Sequence, residues 1–357
     1  MRVDLPIHGR GASHDPPNRF ERLYVEPDPD GADPDDPEPW KRTEYYRDAS
    51  RSILARNGSP DIPFEYSVNS YRGCAHGCIY CYARPTHEYL GFSAGLDFER
   101  KLLVKMDGPA LLRRALGSSR WKPRVIAMSG VTDPYQPIER KLRLTRGCLE
   151  VLAEFMNPVG IITKNHLVTR DIDLLRELAR QDAAVVNVSV TTLDPALQRV
   201  MEPRTSTPAR RLDAIARLTE AGIPVRVMVA PVIPGLTDHE IAEILRACAQ
   251  AGAWAAAYQM LRLPLGVADL FERWLLQRFP DRKEKVLNRI RGMREGRLND
   301  AAFGVRMRGR GPFAEQVRAL FEAGVRRAGF RGEPPPLSVR AFRRPARERD
   351  EAQLDLL

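Results

Sequence analysis

Beyond residue 62 the chain alternates short apolar runs with longer stretches whose apolar residues recur at helical spacing. FEYSVNSYRG, which follows Asp61-Ile62-Pro63, predicts a first strand ending in a cysteine-rich loop. RVIAMSG (124–130) predicts a second, buried strand. Residues 145–156 predict a helix with Cys148, Val151, Leu152 and Phe155 on one stripe. VGIITK (159–164) reads as a third strand, DIDLLRELAR as a helix and AVVNVSVTT (184–192) as a fourth strand. Thr207-Pro208 predicts an N-cap with Pro at the first helical position, opening a helix that Gly222 stops. IPVRVMVAPVIPG is a fifth strand, and Thr237 or Asp238 is expected to cap a helix carrying Ile241, Ile244, Leu245 and Cys248 on one face. AWAAAYQMLRLP (253–264) completes the series with a sixth strand. Alternating strands and helices imply an α/β fold with a parallel sheet, and six units fit a partial (β/α)6 barrel better than a closed eight-stranded one.

The flanks differ from this core. Residues 1–62 contain VEPDPDGADPDDPEPW, too rich in Pro, Asp and Glu to pack, so an extended and partly disordered leader is expected. The core is expected at 63–265, a basic helical extension at 266–332 and a flexible tail at 333–357. Charge is uneven along the chain. Residues 1–48 hold 7 basic and 12 acidic side chains, whereas 262–349 hold 22 basic and 10 acidic ones. A basic face of this kind either is simply solvated or neutralises phosphates. No apolar run is long enough for a membrane span, and the N-terminus lacks a signal-peptide pattern. Five cysteines are too few for a disulfide scaffold, which points to the reducing cytoplasm.

The chemistry concentrates in RGCAHGCIYCYARP, where Cys74, Cys78 and Cys81 stand in a CxxxCxxC spacing. A cubic four-iron cluster normally takes four thiolates, so three leave one iron open to chelate a small molecule. Gly73 and Gly77 let the backbone wrap closely. The alternative is a structural zinc site with His76 as fourth ligand, although no second two-ligand clip follows downstream.

This loop, after a first strand and ahead of repeating β/α units, resembles the radical S-adenosylmethionine (SAM) superfamily. With Tyr80 and Tyr82 flanking the third cysteine, it is similar to the spore photoproduct lyase branch, often labelled DNA repair photolyase-like, across about residues 65–265. GRGA near the N-terminus and FGVRMRGRGPFA near the C-terminus extend the similarity to a bacterial subfamily over nearly the full length. The resemblance implies one [4Fe-4S] cluster on the three cysteines, with S-adenosyl-L-methionine on the open iron. It further implies reductive cleavage to a 5′-deoxyadenosyl radical that abstracts a substrate hydrogen, with flavodoxin or ferredoxin as electron donor. It assigns Ser129, Thr132 and Asp133 to the cofactor's amino group, Lys164 and Ser189 to its carboxylate and a cofactor contact to Tyr80, while Tyr80 and Tyr82 either relay a hydrogen atom or pack against the cluster. Glu202 and Arg204 in MEPRTSTP match a family motif or form a structural ion pair. One departure stands out. The branch returns a hydrogen from a cysteine after the second strand, and residues 129–133 contain none. Cys148 and Cys248 sit on apolar stripes, where a thiol is inert.

Gln353-Leu354-Asp355-Leu356-Leu357 resembles the peptide by which bacterial repair proteins dock on the sliding clamp, or is an ordinary tail end. Together the cysteine loop, the basic C-terminal third and this tail lead to a radical SAM enzyme acting on nucleic acid, in DNA repair or modification. A protein or small-metabolite substrate, and a zinc-stabilised binding module without catalysis, remain as alternatives.

Overall fold

The computed structural model describes residues 6–20 and 42–345. In chain order come β1 (Glu44–Arg47), β2 (Leu54–Arg56), β3 (Tyr66–Val68), β4 (Tyr71–Arg72), α1 (Leu96–Arg100) and β5 (Lys101–Val104). The β/α units follow: α2 (Gly108–Gly117), β6 (Ile126–Met128), α3 (Glu139–Leu142), α4 (Leu144–Phe155), β7 (Val159–Thr163), α5 (Ile172–Ala179), β8 (Ala184–Ser189), α6 (Pro195–Met201) and α7 (Pro208–Glu220). The chain then continues through β9 (Val225–Val232), α8 (Ile241–Gln250), β10 (Ala255–Met260), α9 (Val267–Arg278), α10 (Pro280–Gly292) and α11 (Gly311–Ala328).

Six strands run parallel in the order β3-β6-β7-β8-β9-β10, with β2 antiparallel at the edge beside β3. These are the six strands expected from the alternation, and the sheet is the partial barrel it implied. Alternate residues of the central strands, Val159, Ile161, Val186, Val188, Val225, Val227 and Val229, are buried, while most positions between them are only partly so. The helical stripes pack as their spacing requires, with Cys148, Val151, Leu152 and Phe155 of α4 and Ile241, Ile244, Leu245 and Cys248 of α8 all buried. Burial raises the Cys148 and Cys248 thiols to about 12, which leaves both inert as nucleophiles.

Thr207 is the N-cap residue ahead of Pro208 as expected, held by backbone geometry, since its hydroxyl makes no cap bond. The caps expected before α8 work differently. Thr237 Oγ1 accepts the Ile233 amide at 2.9 Å and Asp238 Oδ1 accepts the Gly235 amide at 3.0 Å, so both hold the preceding turn. Gly222, at φ +77°, stops α7 as expected.

Parts of the flanks are folded onto the core. Within the expected leader, the Gly11 and Ala12 amides donate to Glu99 at 3.1 and 2.8 Å, and Arg204 Nε donates to the Gly9 carbonyl at 3.1 Å. A small second sheet, β1-β5-β4, lies beside the barrel. Within the expected flexible tail, residues 333–345 are anchored, because the Ser338 amide donates to Asp182 O at 2.8 Å and the Arg343 amide to Phe155 O at 2.9 Å. VEPDPDGADPDDPEPW and Gln353–Leu357 lie outside the described residues. The extension 266–332 is mostly helical, its longest irregular stretch being a strap at 293–310. That strap crosses the open seam: Met307 O accepts from Met260 at the end of β10, and Asp61, ahead of β3, accepts from Gly304 N and Arg306 Nε at 2.7 and 2.6 Å. No helix among the described residues is long and apolar enough to cross a membrane.

Gly11 faces the cysteine loop so closely that an added Cβ would overlap the Gly77 carbonyl oxygen, and backbone there cannot swing aside cheaply. Gly11→Ala is therefore expected to destabilise the apoprotein by about 1–3 kcal/mol. Gly58→Ala, in open space, serves as control. Equal denaturation midpoints for the two variants would contradict the packing.

Candidate active site

The carboxyl ends of parallel strands are where an α/β fold gathers loops, and the barrel places a cavity there. Cys74, Cys78, Tyr80, Cys81, Tyr82, Ser129, Thr132, Asp133, Lys164 and Ser189, every site residue expected from the sequence, line one cavity of about 210 Å3. The strand register explains the grouping. Met128 pairs with Ile161, Thr163 with Val188 and Ser189 with Met228, so residues just past β6, β7 and β8 form one row facing the cysteine loop.

The loop is held by polar contacts on all sides. Gly73 and Gly77 take φ of +77° and +67°, which only glycine adopts freely. Thr132 Oγ1 donates to the Gly73 carbonyl at 2.7 Å, and Gln136 Oε1 accepts the Ala75 amide at 3.0 Å. Arg84, wholly buried, donates to the Cys78 carbonyl at 3.1 Å and pairs with Glu99 at 2.5 Å.

The three cysteines carry free thiols. Burial first, then neighbouring acidic groups, pushes Cys78 upward and Cys81 up to about 11. Thiolates here need positive charge close by, which bound metal supplies. Convergence on a single ion, as zinc requires, is not found among the described residues. His76 is committed elsewhere, with Nδ1 3.4 Å from Asp133 and Nε2 3.1 Å from the Asn165 amide. Three sulfurs that share a cavity without converging fit a cube, in which each takes a different iron.

Asp133 is engaged on both oxygens. Oδ1 accepts from Thr163 Oγ1 at 2.7 Å and the Tyr135 amide at 2.9 Å, and Oδ2 accepts the Lys164 amide at 2.8 Å and faces His76. It joins the cysteine loop to the ends of β6 and β7. Ser129 takes φ 149° and Gly130 φ 133°, so the backbone turns sharply into the cavity with a non-glycine residue in a region L-residues avoid. Lys164 Nζ donates to Ala230 O at 3.1 Å and lies 3.8 Å from Glu202. Tyr82 is half-exposed at the mouth, its hydroxyl donating to Gly130 O at 2.9 Å.

Glu202 has no exposure at all. It accepts from Tyr80 Oη and Arg211 Nη2, and from Thr191 Oγ1 at 2.7 Å. Burial alone would raise its pKa, but Arg211 and then Lys164 reverse this and hold it at about 2. The ion pair expected within MEPRTSTP is thus made with Arg211, while Arg204 turns to the leader. Sequence reasoning passed over Gln136, Arg211, Gln259 and Arg262. Gln136 stood in the SGVTDPYQPIE segment, but the others carry no local pattern.

Residues 68–248 match the model of the radical SAM superfamily. An uncharacterized protein of Mycobacterium tuberculosis is 41% identical over 222 residues, covering 62% of this chain and 65% of the relative, so the match spans less than two thirds of that protein. One from Methanocaldococcus jannaschii is 28% identical, covering 63% and 80%. A radical SAM Nalpha-GlyT isomerase of Pseudomonas phage M6 is 25% identical, covering 55% and 39%. Among solved structures, spore photoproduct lyase complexed with dinucleoside spore photoproduct superposes with a TM-score of 0.55, 16% identity and 79% coverage of both chains. The same lyase with bound AdoMet and that photoproduct gives 0.53, with 16% identity and coverage of 79% of this chain and 78% of the other.

Glu202→Gln leaves Arg211 buried without its counter-charge, at an expected cost of about 3–5 kcal/mol near neutral pH. The sign with pH follows from the depressed carboxyl. Its stabilisation is complete above the ordinary value of 4.5 and is lost as pH falls towards about 2. Thermal unfolding of the apoprotein should show this acid-dependent loss in wild type and flatten it in the variant. Matching profiles would contradict the buried pair.

Proposed function

This chain belongs to the radical SAM superfamily, whose cofactors are a [4Fe-4S] cluster and S-adenosylmethionine, and from that premise we propose an enzyme acting on nucleic acid. The observation that carries the proposal is the single strand-end cavity joining three free thiols to Lys164, Ser189, Ser129 and the Asp133 network. Cys74, Cys78 and Cys81 would hold the cluster. Cluster and S-adenosylmethionine together would supply one-electron cleavage of the S–C5′ bond, giving methionine and a 5′-deoxyadenosyl radical able to remove a substrate hydrogen. Flavodoxin or ferredoxin is the kind of donor such a cluster uses.

The chain's own groups divide the remaining work. Lys164 presents a cation to the cofactor carboxylate, and Glu202 with Ala230 O fixes where that cation stands. Ser189 adds a hydroxyl on the neighbouring strand. At the end of β6, the turn at Ser129 and Gly130 brings hydroxyl and backbone polar groups towards the cofactor's ammonium. Thr132 and Asp133 act by position, since their oxygens already hold the cysteine loop and β7. Tyr80 donates into Glu202 and so orients the Lys164 pocket, while Tyr82 stands at the mouth facing substrate.

Nucleic acid is supported by the basic C-terminal third and by a fold shared with a lyase that is complexed with a dinucleoside photoproduct. The reaction differs from that enzyme's in its hydrogen source. Of five cysteines, three belong to the cluster loop and Cys148 and Cys248 are buried on the outer helices, which leaves no thiol to return a hydrogen.

Anaerobic reconstitution is expected to load about four irons. Reduction with S-adenosylmethionine present should yield 5′-deoxyadenosine, and Cys78→Ala should abolish both. A colourless protein with one zinc, or a Cys78→Ala variant that keeps both properties, would overturn the assignment.

A further inference from the structure

Arg262 follows β10 and lines the cavity. Its guanidinium lies 5.0 Å from the centre of the Tyr82 ring, and Nη1 reaches the thioether of Met307 at 3.3 Å. Asp61, a carboxylate whose charge reaches it, is already bonded to Arg306 at 2.6 Å. Behind it lies Arg294, with 1% of its surface exposed. Arg294 Nη2 donates to Leu261 O at 2.6 Å and Arg306 O at 3.1 Å, while Nε and Nη1 have no hydrogen-bond partner among the described residues. Arg306, on the strap that crosses the seam, stacks over Phe303 at 4.6 Å.

Arg262 thus faces the cavity with Arg294 buried behind it and Arg306 beside it, and of the two carboxylates whose charge reaches this group Asp61 is paired with Arg306 and Asp300 acts on Arg294. Burial disfavours charge on Arg262 and Arg294; Tyr82 and Asp300 offset this in part, while Arg306 adds repulsion at Arg262 and Arg262 adds it at Arg294. An anion placed there relieves both. Tyr82 and Phe303, 48% and 57% exposed, set aromatic faces beside the cations. Charge next to open aromatic faces suits a nucleotide, whose phosphate and base need one of each; an acidic peptide would use the charge alone.

Resting on the nucleic-acid reading above, we propose that Arg262, backed by Arg294 and Arg306, is a phosphate subsite. It holds the backbone of the strand whose reacting nucleotide enters the cavity, with Tyr82 and Phe303 as stacking surfaces. The FGVRMRGRGPFA segment thereby gains a role: it closes the seam and carries one wall of the subsite.

The test is fluorescence anisotropy of a labelled single-stranded oligodeoxynucleotide against the reconstituted full chain, across a salt series. Arg262→Gln, with wild-type iron content and melting temperature as controls, should bind roughly tenfold more weakly. Its log-affinity against log-salt slope should be shallower by about 0.7. Arg262→Lys should fall between, since it keeps charge without the planar fork. Phe303→Ala, at an exposed position that spares the fold, should weaken binding with the slope unchanged. If wild type binds and all three variants match it, the subsite is wrong and the nucleic-acid reading stands. If wild type fails to bind at low salt, the nucleic-acid reading itself fails. Loss of acidic-peptide binding by Arg262→Gln, with oligonucleotide binding intact, would reassign the subsite to carboxylates and overturn the proposal.

Discussion

The carboxylate of Glu202 is the charge around which the site is built. It is removed from water and must be compensated from within. Its partners come from four places: Arg211 on α7, Thr191 past β8, Lys164 past β7 and Tyr80 inside the cysteine loop. Through Tyr80 this carboxylate ties the loop to α7 and to the ends of β7 and β8, and together with the Ala230 carbonyl it sets where Lys164 stands relative to the thiols. Arg211 also donates to the Ser189 carbonyl at 3.0 Å, fixing the next strand end in the same frame.

A second buried carboxylate does the same work from the other side. Glu99 pairs with Arg84, which grips the Cys78 carbonyl, and accepts two amides from the leader. The cysteine loop is thus clamped between two arginine–carboxylate pairs. Such pairs add little net stability compared with apolar packing, because desolvation cancels much of the attraction. Their value lies in geometry: a charge without its partner is costly, so alternative loop positions are disfavoured. A loop that must offer three thiols at fixed spacing to a preformed cluster has reason to be held this way.

The six strands, the apolar stripes of α4 and α8, and the stop at Gly222 were legible because local period and turn chemistry specify them. That the ten expected residues share one cavity was legible too, since each sits in the cysteine loop or at the end of an apolar strand run, and parallel pairing brings those ends together. What the sequence hid depends on distance along the chain. Glu99 meets Gly11 and Ala12 across nearly ninety residues, and Asp61 meets Arg306 across far more. Nothing in the spacing of either partner announces the other. β1 was missed because EYYR, exposed throughout, shows no alternation of apolar and polar positions, and β5 because the four residues of KLLV are too few to announce a strand. The cap at Thr237 misled because a hydroxyl at the right position can serve the preceding turn as readily as the helix.

These elements describe a cavity with an inner end that can hold cluster and cofactor and an outer end rich in arginine and exposed rings. The account's central claim is that a hydrogen passes from nucleic acid to the cofactor's adenosyl carbon in that cavity. Anaerobic turnover with perdeuterated DNA or RNA and analysis of 5′-deoxyadenosine by mass spectrometry tests it directly. Deuterium in the 5′-deoxyadenosine with wild type is the predicted result. Unlabelled 5′-deoxyadenosine from every deuterated nucleic acid, with label appearing instead from a deuterated protein or metabolite pool, would contradict it.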